Sequence, residues 1–177
     1  MNDTERAFLL EILARPQASS TDLAQRVALL EDRAALGELI AKYGFYADHL
    51  QFDLMLDLYT DDVDRALSGT RNERVIGRQA LRQIFDTRAP QPDANGKLPV
   101  QRCHHIDTEV VKISDDGSEA WAVALGQVVA VTDDAQASHE DTYLFAFRKE
   151  EGRWRIARQV VVTDNARNPI LHATPGS

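Results

Sequence analysis

The chain has 177 residues, with 28 acidic against 20 basic side chains and a formal charge of −8. At this length one domain is the default and about two thirds of the unfolded surface is buried on folding, so no disulfide or structural metal is needed, while the acidic balance opposes loose association with nucleic acid or anionic membrane. The single Cys103 has no internal partner, no apolar run is long enough to span a membrane, and the opening MNDTERAFLLEIL carries acid where a secretory signal carries base, which together predict a soluble, cytoplasmic protein.

Thr4 to Ala14 has helical spacing, with Ala7, Phe8, Leu10 and Leu13 on one face and Pro16 as a stop. Ser20 or Thr21 can cap a second helix that begins near Asp22 and carries Leu23, Val27 and Leu30. The longest helical pattern follows, with Ala35, Leu36, Leu39, Ile40, Tyr43, Ala47 and Leu50 on one broad face and Asp48 near its end. Gly37 and Gly44 leave open whether Leu23 to Leu50 is one helix or two. A short apolar run, Phe52 to Tyr59, stops at Thr60-Asp61-Asp62. Residues 1–30 read as a helical extension suited to packing on a partner subunit, and 31–177 as the domain proper, the two forming one folding unit.

Beyond Asp62 the period changes. Val63–Leu67 and Glu73–Ile76 are strand candidates across a Ser68-Gly69-Thr70 turn, and Gly77 introduces a helix from Arg78 with Leu81, Ile84 and Phe85 inward. Ala89 to Pro99 reads as a loop. Four long strands then follow, Arg102–Ile113, Ser118–Val131, Ser138–Arg148 and Arg153–Val162, joined by turns too short for a parallel crossover. These features predict an α+β fold, a curved antiparallel sheet with the N-terminal helices across its concave side. Tyr143, Phe145 and Phe147 mark one side of their strand, while Leu144 and Ala146 give the other side an apolar character that suggests a homodimer through the sheet, with a trimer as the alternative.

Alternation puts His104, Ile106, Thr108 and Val110 on one side of the first long strand and His105, Asp107, Glu109 and Val111 on the other. The Ile106–Val110 side is less charged, so it faces inward and carries His104 with it. A buried histidine needs a partner for each ring nitrogen, and Asp48 on the facing helix can orient it and raise its basicity. Arg102, Arg155 and Arg158 could steer an anion but suit strand ends in water, and Cys103 reads as an inert buried thiol.

The succession DRAALGELIAKYGFYAD, FDLMLDLYTDD, IGRQALRQIF, RCHHIDTEVVKI and GRWRIARQVV resembles the SnoaL-like branch of the nuclear-transport-factor-2-like superfamily over roughly 32–163. That resemblance implies a cone-like curved antiparallel sheet capped by helices (the cystatin-like arrangement), a deep apolar pocket, and dimers or trimers. Dehydratase and dehydrochlorinase members use an aspartate at the end of the first long helix and a histidine opening a central strand, which correspond to Asp48 and His104. Bile-acid dehydratases add a tyrosine five residues before the aspartate, matched by Tyr43. Where many relatives have an asparagine four residues after the histidine, this chain has Thr108.

Together these readings predict a metal-independent dehydratase, or an isomerase-like enzyme, with no organic cofactor. His104 would remove a proton next to an electron-accepting group, Asp48 would orient it, and Tyr43 or water would assist departure of hydroxide. The expected substrate is a hydrophobic, cyclic or polycyclic, hydroxylated molecule held by Phe45, Tyr46, Phe52, Phe85 and Thr108. Convergence of Asp48, His49, His104 or His139 on a metal lacks any motif such as HExxH, and nucleotide loops and a placed nucleophile are likewise missing from the sequence. The alternatives are an isomerase or cyclase in the same pocket, or a noncatalytic small-molecule-binding or assembly protein.

Overall fold

The computed structural model describes residues 1–69, 72–133 and 135–164, with the side chains of Thr108, Glu109 and Asp164 outside the description. The last part of the expected 31–177 domain, 165–177, therefore lies outside the described residues, as does Thr70 of the expected turn. Among the described residues four helices, α1 (Asp3–Ala14), α2 (Leu23–Asp48), α3 (Phe52–Leu56) and α4 (Arg78–Arg88), accompany six strands: β1 (Tyr59–Ser68), β2 (Glu73–Ile76), β3 (Gln101–Ile113), β4 (Glu119–Val131), β5 (Gln136–Glu150) and β6 (Arg153–Asp164).

The strands form one sheet in the order β2-β1-β6-β5-β4-β3. The four C-terminal strands are antiparallel neighbours, as their short turns require. β1, however, runs parallel to β6, with Arg65 beside Gln159 and Leu67 beside Val161. The expected cone-like, wholly antiparallel sheet is thereby corrected to an open, mixed sheet that is neither closed nor strongly curled, with β2 and β3 as separate edges. The physical reason is connectivity: turn length dictates direction only between consecutive strands, and β1 meets a strand that begins 85 residues after β1 ends.

Helices cover both faces. Leu36, Ile40 and Tyr43 of α2, Met55 of α3 and Leu81 and Phe85 of α4 pack with Ala120, Ala122, Ala124, Phe145 and Phe147 in the larger core, where alanines on β4 make room for the β5 rings. α2 is one helix through Gly37 and Gly44, started by Asp22, whose carboxylate accepts the Gln25 N–H at 2.9 Å. Gly44 faces β3, where an added Cβ would lie 3.4 Å from His104 Cβ and from Ile106 Cδ1. Asp32 anchors the helix to the sheet by accepting from Lys149 Nζ (2.6 Å) and Trp154 Nε1 (2.8 Å).

The opposite face is covered by α1 of the same chain. Phe8, Leu9 and Ile12 pack against Val123, Leu144, Val160 and Val162, so the inward line is not the expected Ala7-Phe8-Leu10-Leu13 line; Leu10 and Leu13 are exposed. The apolar outer side of β5 is thus accounted for within the chain. Strand phase also differs from simple alternation. A register shift between Asp107 and Val110 turns Val111 inward (3 % exposed) and Val110 outward (38 %), because a bulge inserts a residue and reverses the side-chain phase beyond it.

Candidate active site

The site is assembled where α2 stops. Asp48 is the last helical residue, and Leu50 then enters the left-handed region (φ 54°) while the Gln51 N–H closes on the Tyr46 carbonyl at 2.9 Å. This ending points the Asp48 carboxylate at β3. One oxygen, Oδ2, accepts the backbone N–H of His104 at 2.8 Å, and the other, Oδ1, lies 2.5 Å from His104 Nδ1. A carboxylate can only accept here, so Nδ1 carries the hydrogen, and in the neutral ring Nε2 is the nitrogen with the free lone pair. Both side chains are largely enclosed, at 14 % and 13 % exposure.

His104 lines a cavity of about 430 Å³ whose wall includes Tyr43, Arg65, Phe85, His139, Asp141 and Tyr143. Its volume falls in the range of small-molecule sites, about 300–1,000 Å³. Tyr43 is buried, with its ring edge-on to His104 at 6.4 Å and to Tyr143 at 6.0 Å. Arg65 is 9 % exposed and forms no ion pair among the described residues; its Nε donates to Gln159 Oε1 at 3.1 Å, the oxygen that also accepts the Tyr59 hydroxyl at 2.7 Å. Burial works to lower the Arg65 pKa, but the adjacent Tyr43 and Tyr59 oxygens more than offset it, and the net direction is upward. The cavity therefore retains a cation.

On the far wall, the Tyr143 hydroxyl donates to Asp141 Oδ2 at 3.0 Å. Burial first, then the neighbouring Tyr43 and Asp141, push the Tyr143 pKa upward, which keeps that proton on the phenol. Asp141 Oδ1 is sealed from water with no hydrogen-bond partner among the described residues, and His139 Nε2 lies 3.6 Å from it. Gly126 makes this arrangement fit: a Cβ there would stand 2.8 Å from the His105 carbonyl oxygen and 3.0 Å from Tyr143 Cε2.

The structure brings Asp48, His104, Tyr43 and Phe85 together. Phe52 stacks behind Phe85 at 5.5 Å without reaching the cavity wall, and Tyr46 packs at the edge of the core. Phe45 is 58 % exposed and stacks on His49 at 4.1 Å, away from the cavity. The Thr108 side chain lies outside the described residues. Cys103 is exposed rather than buried, since it occupies the face of β3 opposite His104. Among the described residues no three His, Cys, Asp or Glu side chains converge as a metal site, and no helix is long and apolar enough to cross a membrane.

Sequence reasoning passed over Arg65, Asp141 and Gln159, and weighed His139 only as a metal ligand; none of the four was placed at the cavity. A signal existed for three of them. His139 and Asp141 precede Tyr143, Phe145 and Phe147 at intervals of two, so the inward phase read from the aromatics extends back to both. Arg65 likewise shares its phase with Val63 and Leu67. Gln159 gave no comparable signal, because the register shift between Ala146 and Phe147 changes how β5 and β6 align.

No curated protein matches the chain. Among solved structures it is similar to a nuclear-transport-factor-2-like protein with a cystatin-like fold from Novosphingobium aromaticivorans, at 25% identity and a TM-score of 0.68, covering 85% of this chain and 96% of that one. A candidate aromatic ring hydroxylase from the same organism is 23% identical over 76% of this chain and 90% of its own, with a TM-score of 0.63. A candidate scytalone dehydratase, also from that organism, is 17% identical over 82% and 97%, with a TM-score of 0.64. Residues 28–160 match the SnoaL-like domain family, and with three quarters of its length inside that match the chain belongs to the SnoaL-like family of the nuclear-transport-factor-2-like superfamily.

Proposed function

We propose that the protein is a cofactor-independent lyase that removes water from a cyclic, hydroxylated ketone by acid–base chemistry at His104. The observation that carries this reading is the double grip of Asp48 on His104, a residue of the cavity wall, which commits Nδ1–H and leaves Nε2 free to act as the base. His104 Nε2 takes the proton from the carbon beside the carbonyl, and the electron pair moves into that carbonyl. Asp48 holds the ring and stabilises the imidazolium as it forms. Arg65, with the Tyr43 hydroxyl beside it, meets the oxygen on which negative charge develops. The pair then returns to form a C=C bond as the C–O bond on the next carbon breaks, and the departing hydroxide takes up a proton to become water.

The cavity wall refines the expected substrate. Leu67, Ile84, Phe85, Val128 and Val161 supply an apolar strip, while Arg65, His104, His139 and Asp141 supply several polar contacts, so the fit is to an oxygenated ring rather than a plain hydrocarbon. Likeness to a candidate scytalone dehydratase supports the same class of reaction. The test is mass-monitored loss or gain of water on a panel of hydroxylated cyclic ketones, with the wild type and a folded His104→Gln variant. Loss of turnover with retained ligand affinity is expected in the variant. Full turnover by His104→Gln would eliminate the proposal.

A further inference from the structure

Two His–Asp pairs face one cavity, and the proposed function uses only one. β-Sheet register makes their relation definite: His104 on β3 is opposite Val128 on β4, and Val128 is opposite His139 on β5. The two histidines therefore occupy one row on the same face, separated by the width of one strand, with Cα atoms about 10 Å apart for two strand spacings. Both line the cavity, as does Val128 between them.

The two pairs differ in what the carboxylate receives. Asp48 accepts two hydrogen bonds from His104, one from the backbone and one from the ring. Asp141 is 5 % exposed; among the described residues its Oδ2 takes only the Tyr143 hydroxyl, and its Oδ1 is closed off from water with His139 Nε2 as the near donor at 3.6 Å. Among the described residues no Lys or Arg pairs with Asp141, and His139 in its imidazolium form is the cation that the geometry offers this carboxylate. In that form Nε2–H turns to Asp141 and Nδ1–H is left for a ligand. Elimination of water needs a base and an acid at the two ends of one H–C–C–O unit, a span of about 9 Å when each nitrogen sits about 3 Å from its atom. The two-strand spacing of the row is of that order.

We propose that His139, positioned and charge-balanced by Asp141, is the general acid that protonates the leaving hydroxyl while His104 acts as the base. The proposal rests on the dehydratase reading above. Atoms balance as follows: the carbon-bound proton goes to His104 Nε2, the C–H pair flows into the carbonyl and on into the new C=C bond, the C–O bond breaks, and the His139 proton joins the departing oxygen as water. Afterwards His104 is protonated and His139 neutral, and proton exchange through solvent resets both.

A leaving-group comparison tests this. 3-Hydroxycyclohexanone must lose water and benefits from an acid; 3-chlorocyclohexanone loses chloride, which departs unprotonated. His139→Gln is expected to slow elimination of water about 10²- to 10³-fold while changing chloride elimination by less than about threefold, and Asp141→Asn is expected to follow the same pattern more weakly. His104→Gln is expected to lose both reactions. Equal losses on the two ketones in His139→Gln, or no loss on the hydroxy ketone, would overturn the acid assignment while leaving the His104 base intact. If His139→Gln does not fold, Asp141→Asn decides by the same comparison. Undiminished reactions in His104→Gln, or a wild type that eliminates neither ketone, would overturn the underlying dehydratase reading instead.

Discussion

Replacing Asp48 with Asn tests the site without removing a single heavy atom. In the native arrangement both acceptors are used, Oδ2 by the His104 backbone N–H at 2.8 Å and Oδ1 by Nδ1–H at 2.5 Å. An asparagine has only one acceptor. If its oxygen keeps the backbone N–H, its NH₂ group faces Nδ1, and the imidazole shifts its proton to Nε2 to accept that bond. The base is then blocked by the wrong tautomer. General-base loss of this kind is expected to reduce turnover about 10²- to 10⁴-fold, equivalent to about 2.7–5.4 kcal/mol at the transition state. Stability should fall far less, by about 1–2 kcal/mol, because one charge-assisted hydrogen bond becomes neutral and the shape is retained. Nitrogen-15 NMR of the imidazole needs no substrate: wild-type His104 is expected to carry its proton on Nδ1 and the variant on Nε2. A proton on Nε2 in the wild type, or an unchanged tautomer in Asp48→Asn, refutes the reasoning.

Other consequences are equally direct. Ile12 is fully buried between α1 and the sheet, so Ile12→Ala should cost about 2–5 kcal/mol in urea unfolding; an unchanged midpoint would mean that α1 does not pack there. Gly126→Ala drives a methyl to 2.8 Å from the His105 carbonyl oxygen, and a loss of about 1–3 kcal/mol is expected by thermal melting, with no loss counting against the described strand geometry. Arg148, whose Nη2 is 2.8 Å from Asp62, and then Thr60 hold the Asp62 carboxyl at about 2 against an ordinary 3.8. Because the folded value is the lower one, the stabilisation is present above pH 3.8 and lost as pH falls towards 2; both side chains are exposed, which limits it to about 1 kcal/mol or less. Arg148→Ala should accordingly flatten the decline of urea midpoint between pH 4 and pH 2, and a slope equal to wild type refutes the pairing. Leu23, Val27 and Leu30 leave an apolar stripe on the free half of α2, and a homodimer closed there should fall to monomer mass in light scattering when Val27 and Leu30 become Glu; a monomeric wild type rejects it.

What the sequence determined by itself was local: a helical pattern from Leu23 to Leu50 with Asp48 near its end, though not that it is one unbroken helix, the helix after Gly77, and four strands whose short turns admit only antiparallel neighbours. Periodicity also placed His104 on the inward face next to Ile106, because no bulge intervenes between them. Tertiary structure decided the rest. Parallel pairing of β1 with β6 depends on contacts between segments far apart in the chain, where no turn constrains direction. Phase beyond Asp107 depends on a bulge, which leaves no mark in residue type, and so Val111 rather than Val110 is buried. The covering of the outer sheet by α1 turns on which of two apolar lines finds a complementary surface, and only the assembled β4-β5-β6 face selects Phe8, Leu9 and Ile12 over Leu10 and Leu13. Likewise the gathering of Arg65, His139 and Asp141 around His104 joins three strands, β1, β5 and β3, through lateral register, a relation that spacing along one chain segment does not encode.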